Sequence, residues 1–177
     1  LRYRTFISKK NIPKKTILLY RNPFDFTVSY YFYFYKNTID LSHVTFNDVI
    51  QDILEHYKKF YFQQRNIWKI NKNCLLVSYE NLISNKETTL QIITEFYLGK
   101  SVNMSHLIQA IESNSVENTK LLEKKYGRML NKENANNTSF IRSGIVGDYK
   151  DNLPKDILLI IENFLKKEKI PFDGSFV

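Results

Sequence analysis

The sequence has few cysteines and glycines, and it has no long apolar run. Its single cysteine, Cys74, excludes an intrachain disulfide and agrees with a reducing, cytoplasmic location. No stretch reaches the roughly 20 apolar residues that span a bilayer, and no signal peptide is visible at Leu1. The histidines lack the paired acidic or cysteine neighbours of a metal site, so no metal is expected at His43, His56 or His106.

Glycine is absent from the whole first half of the chain. All five glycines lie in the second half, at Gly99, Gly127, Gly144, Gly147 and Gly174. No Gly-rich loop that cradles phosphates is visible, and the pattern Gly-x-x-x-x-Gly-Lys-Ser/Thr does not occur. A kinase-like nucleotide enzyme with that loop is therefore disfavoured.

Positive charge is what the chain has in excess. Its 26 Lys and Arg residues against 18 Asp and Glu residues give a formal net charge of +8 and an isoelectric point of about 9.4. This balance favours anionic partners, such as a nucleotide, a nucleic acid, an acidic glycan or a membrane surface. The lysine doublets are scattered along the chain, which is more typical of a solvated surface than of one basic patch.

The strongest local pattern runs from Thr16 to Ser29 and reads TILLYRNPFDFTVS. A short apolar run predicts a buried strand at 16–20, and a helix is predicted at 23–36. Asn22 is a good N-cap, Pro23 suits the first helical position, and Asp25 completes the spacing of a capping box. The segment is thus predicted to form a strand, a corner that carries Arg21, and a helix.

Arg21 at this corner is suited to bind a phosphate. Ligands of open α/β sheets bind at the carboxyl ends of the strands. A guanidinium at such an end, beside the positive end of a helix, has the charge and the donors that a phosphate needs. Ser29, about two helical turns further on, can add a hydroxyl donor. The alternative is a structural arginine that pairs with Asp25 or with a helix end.

The rest of the chain predicts an α/β domain. A second strand is expected at 73–78 with Tyr79 at its carboxyl end, and helices are expected at 45–70, 84–98, 105–113 and 155–168. Polar loops are expected at 37–44 and 127–140. The helix at 23–36 contains six consecutive aromatic residues and is predicted to be buried on most sides, rather than to form a stacking surface for bases. No repeat or linker divides the chain, which predicts a single domain over 1–177.

A second motif, Arg142 to Lys150, reads RSGIVGDYK. Gly144 lets the backbone approach a phosphate closely, and Arg142, followed by Ser143, supplies a forked donor. Asp148 is expected to hold this loop by accepting backbone amides. The alternative is a glycine-containing surface turn.

The two motifs together resemble the sulfotransferases that use 3′-phosphoadenosine 5′-phosphosulfate (PAPS). That family has a strand, Arg-Asn-Pro, an acidic residue and a serine eight residues after the arginine, followed later by Arg-x-Gly-x-x-Gly-Asp-Trp-Lys. This chain matches both motifs in order, with Tyr149 in place of the tryptophan. The resemblance covers nearly the whole chain. It implies that the cofactor PAPS, or its product PAP, contacts Arg21, Ser29, Arg142, Ser143 and Gly144.

Two further segments match the family where it contacts the adenine. Tyr79 begins a Tyr-Glu-Asn segment that resembles the family's Tyr-Glu-Asp/Asn segment, whose tyrosine lies near the adenine. Ser115 begins a segment that resembles the family's Ser-Phe-x-x-Met/Leu-Lys segment. Val116 replaces the usual phenylalanine there, so aromatic stacking from that position is lost.

The resemblance implies a three-layer α/β fold like that of the P-loop nucleotide-binding proteins, with a parallel sheet flanked by helices. The family's first βα unit, its phosphosulfate loop and its catalytic base have no counterpart in the sequence and are expected before Leu1. The implied reaction transfers a sulfonate group from PAPS to a hydroxyl or amine of a small molecule, glycan or lipid, and this chain supplies the 3′-phosphate and adenine half of the cofactor site. The alternative is a non-catalytic basic domain that binds a nucleotide or nucleic acid. The family's dimer motif is not matched after Lys150, which leaves the oligomeric state open.

Overall fold

The fold is built on two parallel strands, as seen in a computed structural model that describes residues 15–36, 43–126 and 144–176. Strand β1 is Thr16–Tyr20 and strand β2 is Cys74–Ser78. They pair in parallel, with Thr16 opposite Cys74 and Tyr20 opposite Ser78. The first strand has its predicted bounds, and the second begins one residue later than predicted. Because the register aligns the last residues, both strands end at the same edge.

The predicted helix at 23–36 divides into two parts. An α-helix, α1, covers Pro23–Tyr31, and a π-helical segment covers Phe32–Lys36. Across the junction of the two parts, the ring centres of Tyr30 and Phe34 lie 4.3 Å apart. The prediction that this helix is buried on most sides is wrong for its second part, because Tyr33 and Phe34 are 39% and 41% exposed.

Helix α2, Phe46–Ile70, is the longest helix that the structure describes. It begins at the predicted capping box, in which the backbone N–H and the hydroxyl of Thr45 both donate to the Asp48 carboxylate, at 2.7 and 2.6 Å. These bonds hold the pKa of Asp48 below its usual value. The helix buries one apolar face, as its three- and four-residue spacing predicts.

Shorter helices follow β2. They are α3 Tyr79–Ser84, α4 Lys86–Leu98, α5 Met104–Ser113, α6 Val116–Tyr126 and α7 Tyr149–Asn152. Ser84 does not begin α4 as its capping-box spacing predicts. It ends α3, where its hydroxyl donates to the carbonyl of Glu80 at 2.9 Å. Gly99, in the left-handed conformation at φ 71°, ends α4 where a stop was predicted.

The last helix, α8, covers Lys155–Glu168, within its predicted bounds. Its residues Ile157, Ile161 and Leu165 are fully buried and pack with α1 and α2. Leu18 of β1 joins this core, whereas Ile17 and Leu19 point to the opposite face of the strand and are 38% and 41% exposed. None of the described helices is both long enough and apolar enough to cross a bilayer.

Truncating Ile161 to alanine is expected to lower the free energy of unfolding by about 2–5 kcal/mol, because it leaves a cavity between α8 and its neighbours. The matched control is Leu159→Ala, in the same helix but with a side chain that is 58% exposed. That change is expected to cost less than about 0.5 kcal/mol. Urea denaturation followed by circular dichroism measures both variants. Equal losses would contradict the packing of α8 described above.

Candidate functional site

The candidate site lies where the two strands end. Arg21 follows β1 and Tyr79 follows β2, so the parallel register places these two residues side by side. The guanidinium carbon of Arg21 lies 4.2 Å from the centre of the Tyr79 ring. This distance is that of a cation–π contact, in which the ring face stabilises the positive charge. Two residues that the sequence analysis selected separately are therefore in contact.

One N–H donor of the Arg21 guanidinium is not used by the described residues. Within the part of the chain that the structure describes, its buried Nε has no hydrogen-bond partner. A buried N–H without an acceptor is costly, and an anion placed there would remove that cost. The arrangement is thus suited to a phosphate or a similar oxyanion.

The Glu80 carboxylate joins the two strand ends. One oxygen accepts from the backbone N–H of Asn22 at 3.0 Å, and the other accepts from the Ser78 hydroxyl at 3.1 Å. Since Asn22 follows Arg21 directly, the carboxylate fixes the backbone that carries the guanidinium. Sequence analysis did not select Glu80, because its role depends on a partner 58 residues away.

Tyr57 of α2 contacts the backbone of the corner that carries Arg21. Its hydroxyl donates to the carbonyl of Arg21 at 3.3 Å. Its side chain is only 3% exposed, and burial raises the pKa of Tyr57 far above its ordinary value. The hydroxyl therefore stays protonated, and remains a donor, near neutral pH.

The C-terminal segment lies against the same corner. Gly174, at φ 75°, packs so closely that a Cβ at this position would clash with the carbonyl oxygen of Arg21 and would lie 2.7 Å from the Tyr57 hydroxyl. The Tyr61 hydroxyl donates to the carbonyl of Ser175 at 2.9 Å, and Phe176 packs on aromatic rings of the core. Only glycine combines this backbone conformation with this approach.

The first turn of α1 differs from the predicted capping box. Asn22 is the N-cap as predicted, and its side chain accepts from the N–H of Phe24 at 2.8 Å. The Asp25 carboxylate does not accept from the N–H of Asn22, which donates to Glu80 instead. Its carboxylate accepts from the N–H of Gly147 at 2.8 Å and of Tyr149 at 3.0 Å. The loop-holding role that we predicted for Asp148 is performed, at these two amides, by Asp25.

Ser29 is exposed on α1 and lies one turn beyond Phe26 on the same face of the helix. Phe26 and Arg21 line the same small cavity. Ser29 thus lies next to Phe26 on the helix surface.

Val116, the residue after Ser115, lies against Gly144. Ser115 precedes α6, and its hydroxyl accepts from the N–H of Asn118 at 3.2 Å. Gly144, at φ 68°, faces Val116, whose Cγ2 is 3.6 Å from where a Cβ on the glycine would be. The other two predicted residues of this loop, Arg142 and Ser143, lie outside the described residues.

A cavity of about 150 Å³ opens beside Arg21, with walls formed by aromatic residues that include Phe26, Tyr57 and Phe60. This volume holds one small aromatic ring, not a whole nucleotide. Further rings continue outward along α1, with 5.6 Å between the centres of Phe26 and Tyr30. Phe60 is 41% exposed, so the aromatic surface is partly open to solvent. Among the described residues, no cluster of three or more His, Cys, Asp or Glu side chains could hold a metal ion.

Asp25 is the residue whose role sequence analysis assigned wrongly, although a signal was present. The carboxylate lies in a helix that is otherwise almost entirely apolar, and it is 1% exposed. A buried charge needs hydrogen-bond partners. The two amides that satisfy it are 122 and 124 residues away, which is why the local pattern suggested a cap instead.

Comparison with protein families matches residues 5–170 to the model described as "Sulfotransferase domain". A relative named "Amine sulfotransferase", from Oryctolagus cuniculus, is 24% identical over 96% of this chain and 59% of its own length. "Cytosolic sulfotransferase 7" from Arabidopsis thaliana is 26% identical over 94% of this chain and 53% of its own length. The chain thus spans about half the length of the curated relatives it matches.

The fold is also that of solved sulfotransferase structures. A mouse sulfotransferase in complex with PAP superimposes with a TM-score of 0.63, covering 90% of this chain and 60% of that protein at 24% identity. The likeness establishes an α/β sulfotransferase fold, in agreement with the fold expected from the two motifs.

Replacing Gly174 with alanine is expected to destabilise the protein more than the same change at Gly99. Both glycines have positive φ, so each variant incurs a backbone cost of about 1–2 kcal/mol. At Gly99 the nearest atom is the flexible end of Lys15, whereas at Gly174 it is the Arg21 backbone. Overpacking there adds about 1–3 kcal/mol. Denaturant midpoints measure both, and equal losses would contradict the close approach of the C-terminal segment.

Proposed function

We propose that this chain, which belongs to the sulfotransferase family, supplies the 3′-phosphate and adenine half of a PAPS site. The enzyme of which this site is part is proposed to sulfonate a hydroxyl or amine. The observation that carries the proposal is the guanidinium of Arg21, which is placed at two strand ends with a buried N–H that lacks an acceptor. When bound, PAPS supplies the sulfonate group that is transferred.

The residues present fit an anionic nucleotide. Arg21 offers its unused donor beside the N-terminal end of α1, where the helix dipole also favours a negative charge. Ser29 is proposed to add a hydroxyl donor. The ring of Tyr79 packs against the guanidinium. The edge of this ring is proposed to contact the adenine.

The loop before α7 forms the second part of the proposed site. Gly144 has the positive φ that such a turn needs, at 68°. Arg142 and Ser143 are proposed to bind the same phosphate, from the segment just before this glycine. Ser115 is proposed to contact the adenine. It precedes Val116, whose side chain faces Gly144. These roles concern the cofactor, and none of them is that of a base.

The acceptor is proposed to be a small molecule with an apolar or aromatic body. Support comes from the aromatic cavity beside Arg21 and from the relative named an amine sulfotransferase. A cytoplasmic location is part of the same proposal, since one cysteine excludes an intrachain disulfide and one relative is named cytosolic.

The test compares the binding of PAP with that of adenosine 5′-monophosphate, which lacks only the 3′-phosphate. Calorimetric titration of this chain should show tighter binding of PAP. Arg21→Ala should weaken PAP binding by roughly 10- to 100-fold, because a charged hydrogen-bonded pair is lost, and should change binding of the monophosphate little. Arg21→Lys should recover only part of the loss, since lysine keeps the charge without the forked donors.

Lys155→Ala is the matched control, because it removes one positive charge from an exposed position at the start of α8. It should leave both affinities unchanged. Equal binding of PAP and the monophosphate by the folded chain would contradict the proposed 3′-phosphate site. Tight, salt-sensitive binding of single-stranded DNA that PAP does not displace would support the nucleic-acid alternative instead.

A further inference from the structure

We propose that Asp25 is a positioning residue for the cofactor site. Its carboxylate holds the loop 144–149 on the first turn of α1, so that the two segments assigned to the 3′-phosphate lie next to each other. This inference rests on the proposed function. It concerns a residue that touches the loop and not the cofactor.

Asp25 is a buried residue of α1 that binds two backbone amides of the loop. The side chain is 1% exposed. One oxygen accepts from the N–H of Gly147 at 2.8 Å, and the other accepts from the N–H of Tyr149 at 3.0 Å. Both distances are typical of backbone N–H···O hydrogen bonds. Each oxygen therefore has its own partner in the loop.

The helix does not need this carboxylate for its own capping. The Asn22 side chain already accepts from the N–H of Phe24, and the N–H of Asn22 itself donates to Glu80. The Asn22 N–H is the group that the acid of a capping box would otherwise satisfy. The acid in the first turn of α1 is thus available for a contact across the structure.

The loop contacts α1 through a ring as well as through the Asp25 carboxylate. Between its two glycines lie Ile145 and Val146, whose side chains are 58% and 41% exposed. Tyr149 packs on Phe24 with 5.1 Å between ring centres, which is a second contact with α1. Gly144 lies three residues before the nearer of the two bonded amides, so its position depends on them.

The variant Asp25→Asn separates positioning from packing. The amide has the same size and shape, but it has only one acceptor oxygen, and its NH₂ group cannot accept from the second loop amide. Thr27→Val is the matched control. Thr27 is also fully buried in α1, and its hydroxyl donates to the carbonyl of Pro23 within the helix. This control removes a buried hydrogen bond without touching the loop.

The first measurement is amide hydrogen exchange of the chain without ligand. Asp25→Asn should speed exchange at Gly147 and Tyr149, whereas Thr27→Val should not. The second measurement is the ratio of PAP affinity to adenosine 5′-monophosphate affinity. Asp25→Asn should lower this ratio about tenfold, because the 3′-phosphate loses the positioned loop. Thr27→Val should leave the ratio unchanged.

The outcomes separate this inference from the proposed function. Unchanged exchange at the two loop amides in Asp25→Asn would overturn the positioning role even if PAP binds well. Faster exchange with an unchanged affinity ratio would show a purely structural role and would also overturn it. A wild-type chain that does not prefer PAP would instead overturn the proposed function, and the inference with it.

Discussion

The parallel pairing of β1 with β2 is the constraint on which the site depends. It brings Tyr20 opposite Ser78, so the residues that follow each strand, Arg21 and Tyr79, leave the sheet at the same edge. Neither residue is placed by its own local pattern alone. The cation–π contact between them follows from the register, because a shift of one residue would turn each side chain to the other face of the sheet.

Two carboxylates connect this edge to the rest of the molecule. Glu80 binds the backbone beside Arg21, and Asp25 binds two amides of the loop before α7. Burying a carboxylate is unfavourable unless hydrogen bonds replace its water. Here Asp25 accepts from two backbone N–H groups, and Glu80 accepts from one backbone N–H and from the Ser78 hydroxyl. The acids therefore hold segments distant in sequence in one geometry, and Tyr57 and Gly174 complete the support around the Arg21 carbonyl.

The contacts around Arg21 are suited to binding an anionic cofactor. An anionic cofactor needs donors that are already oriented, since reorienting them on binding would reduce the affinity. The guanidinium is oriented by the Tyr79 ring and by a backbone that is fixed from two sides. The aromatic cavity beside the guanidinium is lined by Tyr79 as well and offers an apolar surface. An N–H donor without an acceptor among the described residues and an apolar surface thus lie at one corner, which supports the proposed transfer from a nucleotide to an acceptor.

Local patterns in the sequence determined the strand at 16–20, the N-cap at Asn22, the capping box at Thr45, the stop at Gly99 and the last helix, because each depends on residues within a few positions. The two motifs also determined the family. Tertiary structure alone decided the rest: that Asp25 binds a loop instead of its own helix, that Ser84 ends a helix, and that Tyr33 and Phe34 are exposed. Sequence spacing cannot show these features, since each depends on which distant segment supplies the hydrogen-bond partner or covers the ring.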